Sequence, residues 1–230
     1  MTPRLLLFDI DGTLVLTGGA GQRAISRAFH ELFGVADAFA GVPMGGRTDR
    51  FLVQDGLERC GLPVTPEAHA AVRERYLTRL AEEIAEPAQG LKAMLPGVAP
   101  LLDAVGARDH VHSALLTGNY QVGARIKLEH FDLWRRFGWG AFGDDYTDRN
   151  LMAQAAMAAA PGRGVTLPDP SHAVVIGDTP FDIACARAAG ARVIAVATGG
   201  HGVDELRACG ADVVFEDLTD LDAVLTAIDA

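Results

Sequence analysis

Leu5-Leu6-Leu7-Phe8-Asp9-Ile10-Asp11-Gly12-Thr13-Leu14 is the stretch on which the reading of this chain turns. Four large apolar residues in a row, with no polar alternation and a glycine close behind, read as a β-strand buried on both faces, the pattern of a parallel sheet covered by helices. The run ends in two acids. In parallel α/β sheets the ligand crevice lies outside the carboxyl ends of the strands, so Asp9 and Asp11 fall at that edge rather than in the core. Their i, i+2 spacing puts both on one side as the chain leaves the sheet. A carboxylate beside a hard divalent cation can attack phosphorus and split one difficult hydrolysis into two easier steps. A second carboxyl two residues on can protonate a leaving oxygen and then deprotonate water. Asp is also a common turn former, so the pair alone leaves a structural reading open.

The opening pattern recurs twice. Val111-His112-Ser113-Ala114-Leu115-Leu116-Thr117-Gly118-Asn119 is a short apolar strand ending in polar residues. The Thr117 hydroxyl and the backbone N–H groups of Gly118 and Asn119, at the start of the helix expected next, would form an anion site. Thr and Asn are ordinary helix caps as well. Ala173-Val174-Val175-Ile176-Gly177-Asp178-Thr179-Pro180-Phe181-Asp182 is a third buried strand ending in an acid. Thr179, Pro180 and Asp182 also make a capping box, with Pro at the first helical position. A crevice holding Asp9, Asp11 and Asp178 repels itself, since two like charges 4 Å apart cost about 4 kcal/mol at an effective dielectric near 20. A cation removes the conflict, and oxygen ligands without His or Cys favour Mg²⁺ over zinc.

Taken in order, Asp9-Ile10-Asp11-Gly12-Thr13, Thr117-Gly118-Asn119 and Gly177-Asp178 through Asp182 resemble the first, second and fourth motifs of the haloacid dehalogenase superfamily. The resemblance implies an α/β fold, a Rossmann-like core with a mainly parallel sheet flanked by helices, plus a small all-helical cap domain. It implies Asp9 as nucleophile, Asp11 as acid and base, and Thr117 on the transferring phosphate. The implied Mg²⁺ ligands are Asp9, Asp178 and the backbone carbonyl of Asp11, with Asp182 supporting them. The family's third-motif base, usually Lys and often Lys-Pro, departs from pattern here, because no Lys-Pro occurs. Arg149, at a loop-to-helix junction, is the preferred counterpart and Lys127 the alternative. The dehalogenase branch lacks an acid at the position of Asp11, since a leaving halide needs no proton. The implied activity is therefore a magnesium-dependent phosphatase acting on a small phosphate monoester, phosphoglycolate-like or a sugar phosphate, through an aspartyl-phosphate. A sugar phosphomutase of the β-phosphoglucomutase type, or a non-catalytic metal- and phosphate-binding regulatory module, is the alternative.

Between the first and second motifs the strand–helix alternation breaks. Ile25, Ala28, Phe29, Leu32 and Phe33 make one apolar helix face stopped by Gly34. Asp49 through Cys60 follows, with Thr48 or Asp49 as N-cap and Gly61 as stop. Thr65-Pro66 opens a third helix carrying Val72, Tyr76, Leu80 and Ile84. Three helices without a strand read as an insertion, residues 17–89, into a core of 1–16 and 90–230. The Gly-rich Val15–Gly21 stretch lacks a Gly-Lys-Ser/Thr ending and reads as a flexible connector. Arg47, in the polar loop Gly45–Asp49, is placed to reach an anionic substrate group through its fork of donors.

The chain has 230 residues, 49% of them hydrophobic, enough for a packed interior. No apolar run approaches the roughly 20 residues of a membrane span, and the start is too short for a signal peptide, so the cytoplasm is the expected compartment. Cys60, Cys185 and Cys209 are odd in number and widely spaced, which favours small, partly buried residues over a disulfide or zinc site. His110 and His112 lack a third ligand nearby in sequence. A net charge of −10 without a basic block argues against nucleic acid or an anionic membrane as partner. The same charge repels a small-molecule phosphate, so local cations must draw it in.

Overall fold

The computed structural model describes residues 2–88 and 90–230; Gln89, at the expected end of the insertion, lies outside the described residues. In chain order the elements are β1 (Arg4–Phe8), β2 (Val15–Thr17), α1 (Ala20–Phe33), α2 (Asp49–Arg59), α3 (Pro66–Glu83), β3 (Lys92–Met94), α4 (Val98–Gly106), β4 (Val111–Thr117), α5 (Gln121–His130), β5 (Gly140–Phe142), α6 (Arg149–Ala159), β6 (Ala173–Gly177), α7 (Pro180–Ala188), β7 (Arg192–Val196), α8 (Val203–Ala208), β8 (Val213–Phe215) and α9 (Leu221–Asp229). The main sheet runs β5-β4-β1-β6-β7-β8, every pairing parallel.

The unbroken apolar run in β1 exists because the strand has a core on each side. Leu6 and Phe8 pack with α4, α5 and α9, whereas Leu5 and Leu7 pack with α6, α7 and α8. All four are fully buried, each contributing roughly 1.5–3 kcal/mol over an exposed position. The chain builds β4 and β5 on one side of β1 and β6 to β8 on the other. β1 thus sits where the winding reverses, which opens a crevice at the carboxyl ends of β1, β4 and β6.

Helices α1 to α3 have an apolar cluster of their own, with Ile25, Phe29, Phe39, Leu57 and Leu80, joined by Tyr120 from the sheet side. Their ends follow the sequence signals. Gly34 closes α1 in the left-handed region (φ 74°), Thr48 Oγ1 accepts from Phe51 N–H at 3.1 Å, and Thr65 Oγ1 accepts from Ala68 N–H at 3.2 Å.

One expectation is corrected: Val15–Thr17 is no flexible connector but a strand, paired antiparallel with β3 through Val15↔Met94, Leu16↔Ala93 and Thr17↔Lys92. Three residues are too few to display alternation, and the partner lies beyond the whole helical insertion. Cys185 is buried, Cys60 partly buried and Cys209 exposed, all as free thiols, so Cys209 departs from the buried role expected of it. No helix among the described residues is long and apolar enough to cross a membrane.

Candidate active site

Asp9 directly follows β1, Thr117 closes β4 and Asp178 directly follows β6, so the three strand ends deliver all three side chains to one crevice. Carboxylate oxygens of Asp9, Asp178 and Asp182 lie within 4.8 Å of one another and all three residues are buried. The turn after Asp9 depends on glycine twice over. Gly12 has φ +82°, and a Cβ there would lie 2.3 Å from Asp178 Oδ2. Thr13, given no role by the sequence reading, donates from Oγ1 to Asp178 Oδ1 at 3.1 Å.

Both cationic candidates reach this crevice, by different carboxylates. Arg149, the first residue of α6 and 5% exposed, donates to the Asp182 carboxylate and lies 3.6 Å from Asp9 Oδ1. Asp182 also accepts from Thr179 N–H at 3.0 Å and Thr179 Oγ1 at 2.7 Å. It therefore caps α7 and anchors Arg149 at once, the capping box with an added ion pair. Lys127, on α5, donates to Asp11 Oδ2 and to Asn119 Oδ1, each at 2.6 Å. Asn119 Nδ2 donates to Asp11 Oδ2 and to Thr117 Oγ1, each at 2.8 Å. Lys127 was visible as a charge on a buried face, at i+3 from Ala124 and beside Leu128, but only the fold brings it to Asp11.

The helix after Thr117 starts later than expected, so Gly118 and Asn119 precede α5 rather than open it. α5 begins at Gln121, and its leading amides are already taken: Tyr120 N–H donates to Asp49 Oδ2 at 2.8 Å and Gln121 N–H to Asp144 Oδ2 at 2.6 Å. Asn119 acts through its side chain, its own N–H turning back to Thr117 Oγ1 at 3.4 Å. His110 and His112 join no metal-binding group among the described residues.

Crowding shows in the titration of the acids. Burial pushes the Asp9 carboxyl up to about 7 against the pull of Arg149. Burial, then the Asp182 and Asp9 charges, push Asp178 up to about 9. Burial works against the charged Arg149 too, but Asp182 and Asp9 outweigh it and hold the guanidinium above its ordinary value. Asp9, Asp178 and Asp182 form an all-oxygen cluster able to hold a hard metal ion, which would let the first two ionise together.

The crevice continues into a cavity of about 190 Å³, lined by Asp9, Asp11, Thr117 and Arg149 below and by Arg47 and Tyr76 above. Arg47 lies between the Phe51 ring (4.8 Å) and the Phe181 ring (5.9 Å). Its loop is seated on the end of β4: Asp49 N–H donates to Gly118 O at 2.7 Å, and a Cβ on Gly118 would stand 2.1 Å from the Arg47 carbonyl oxygen.

A parallel sheet with this strand order, acids at the ends of β1 and β6 and a threonine at the end of β4 is the arrangement of the haloacid dehalogenase-type α/β fold. The HAD-hydrolase-like family model matches residues 149–221. The chain is 28% identical over 221 residues to phosphoglycolate phosphatase of Rhodospirillum rubrum, covering 95% of this chain and 89% of the relative. It is 28% identical over 206 residues to phosphoglycolate phosphatase 1 of Pseudomonas aeruginosa, covering 87% and 72%. The crystal structure of CbbY from Rhodobacter sphaeroides in complex with phosphate shares the fold, with TM-score 0.69, 21% identity and 96% of each chain covered. The chain is thus similar in sequence to haloacid dehalogenase-like phosphatases over most of its length and shares their fold.

Proposed function

We propose that this protein is a magnesium-dependent phosphatase that hydrolyses a small phosphate monoester, phosphoglycolate-like or a short sugar phosphate, through an aspartyl-phosphate at Asp9. The observation that carries the reading is the convergence of Asp9, Thr117, Asp178 and the buried Arg149 on one small crevice, closed above by the helical insertion. We take residues 17–89 as a cap over a core of 1–16 and 90–230. Relatives named phosphoglycolate phosphatase support the substrate class.

The donor set suits magnesium. Asp9 and Asp178 are buried and close together in a cluster whose grouped ligand atoms are all carboxylate oxygens, whereas Asp182 is committed to Arg149 and the α7 cap. Asp9, Asp178 and the Asp11 carbonyl would hold the ion, with Asp182 behind them. Bound there, magnesium neutralises charge on the carboxylates and on the phosphoryl oxygens.

The protein groups divide the remaining work. Thr117 and Arg149 bind and orient the phosphoryl group so that an Asp9 oxygen faces phosphorus in line with the leaving oxygen. Asp11 gives its proton to that oxygen as the ester bond breaks. Asp11 then takes a proton from the water that attacks the aspartyl-phosphate, releasing inorganic phosphate and regenerating Asp9. Arg47 and Arg149 each bury an Nε that has no partner among the described residues, a shortfall of about 1–3 kcal/mol that an anionic ligand would relieve. The roughly 190 Å³ cavity is below the usual 300–1,000 Å³ range of ligand pockets, which favours a compact ester, with Arg47 reading an anionic group on its far end.

The test is release of inorganic phosphate from a panel that includes phosphoglycolate and hexose phosphates, with Mg²⁺, with EDTA and for Asp9→Asn. Metal-dependent release abolished by Asp9→Asn supports the reading. Phosphoryl transfer between sugar hydroxyls without net release moves it to a mutase. Silence on every ester at micromolar enzyme overturns it.

A further inference from the structure

Lys127 is the charged side chain that the mechanism above leaves idle. It lies on the apolar face of α5 and is only 5% exposed, yet it lines the cavity. Burying an ammonium is costly unless it is fully engaged. Two of its three N–H groups are spent on Asp11 Oδ2 and Asn119 Oδ1, and among the described residues none takes the third. Its ammonium lies beneath the helical insertion, 3.6 Å from where a Cβ on Gly21 of α1 would stand, with the Tyr76 hydroxyl 3.8 Å from the same point.

The two buried cations occupy opposite ends of the reaction. Arg149 is tied to Asp182 and Asp9, the nucleophile's side. Lys127 is tied to Asp11, the acid's side. In an in-line displacement the leaving oxygen departs opposite the nucleophile, hence beside the acid. Asp11 Oδ2 already accepts from both Lys127, at 2.6 Å, and Asn119 Nδ2, at 2.8 Å. That leaves Oδ1 as the oxygen to carry a transferable proton.

We propose that Lys127 is not a stand-in for the third-motif base but a second cation, dedicated to the leaving group. It locks Asp11 with Oδ1 as the proton donor and gives its remaining N–H to the departing group. As the Asp9–phosphorus bond forms and the ester P–O bond breaks, the Asp11 proton passes to the leaving oxygen. The products of that step are the alcohol, the aspartyl-phosphate and an Asp11 carboxylate, and Lys127 keeps its three protons throughout while pairing with that carboxylate. The inference rests on the phosphatase reading and adds to it a division of labour between two cations.

The measurement is leaving-group dependence. p-Nitrophenyl phosphate has a leaving group that departs without protonation, whereas an alkyl phosphate, chosen as the best substrate of the panel, does not. Lys127→Met should lower kcat on the alkyl ester about 100-fold and on p-nitrophenyl phosphate by less than about 10-fold. Lys127→Arg should recover part of the alkyl rate. Arg149→Met should depress both esters alike. Should Lys127→Met not fold, Lys127→Gln, neutral but still a donor, gives the same comparison. Equal losses on the two esters, or none on either, overturn the inference while leaving the phosphatase intact. A wild-type protein that hydrolyses neither ester removes the phosphatase reading, and this inference with it.

Discussion

In the proposed mechanism Asp9 must be ionised both to attack phosphorus and to hold a metal, yet burial lifts it to about 7, with Asp178 beside it at about 9. A raised carboxyl holds its proton until the pH passes the raised value, so metal must displace protons to bind. Mg²⁺ affinity should therefore tighten as pH rises from about 6 towards 9, with proton release on binding. Isothermal titration in buffers of different ionisation enthalpy reads both, and a pH-independent affinity would place the metal elsewhere. Asp9→Asn should cut phosphate release at least about a thousandfold. Asp182→Ala leaves the buried Arg149 only the longer contact to Asp9 and removes the α7 cap, and should cost about 3–5 kcal/mol of stability in urea denaturation, beyond any loss of rate. Asp9 and Asp178 were legible because each ends an uninterrupted apolar run, a signal contained in its own segment. Thr13 was not, because a hydroxyl in a turn acquires a role only from a partner far away in the chain, and Lys127 was legible as a candidate cation but its pairing with Asp11 was not.

At the scale of elements, Asp49 joins the start of α2 to the start of α5, its N–H on Gly118 O and its carboxylate under Tyr120 N–H. Burial raises its pKa from 3.8 to about 6. The folded state then binds more protons than the unfolded state between those values. Its contribution is complete below about pH 4 and is lost as pH rises through 6, on the order of 2–3 kcal/mol. Asp49→Asn, whose amide oxygen still accepts from Tyr120, should match the wild type near pH 4 and exceed it at pH 7 in urea denaturation of metal-free protein. A constant difference across that range would refute the assignment. Long elements with caps were readable: α1 from its apolar face and Gly34, α3 from Thr65-Pro66, and β1, β4 and β6 from their apolar runs. β2, β3 and β5 were not, since three residues carry no period and their pairing is decided by the sheet they join.

For the whole molecule, the seating of the helical insertion on the core is fixed where Gly118 meets the Arg47 carbonyl. Gly118→Ala puts a methyl 2.1 Å from that oxygen, which should lift the loop that carries Arg47. We expect kcat/KM on small esters to fall about 100-fold with a melting temperature within a few degrees of wild type; a parallel collapse of both would indicate a folding defect. The net charge of −10 gives this seating a further purpose on the proposed reading, because a protein that repels a phosphate overall gains by lining one cavity with Arg47, Lys127 and Arg149. The antiparallel β2–β3 ribbon says something different. Thr17 and Lys92 are cross-strand neighbours, so the chain departs for its helical excursion and comes home at the same doorstep. A two-residue Asn-Gly turn could join those neighbours directly. The helical excursion therefore behaves as a detachable loop of the β2–β3 ribbon: its length could change without disturbing the order of a single strand in the main sheet.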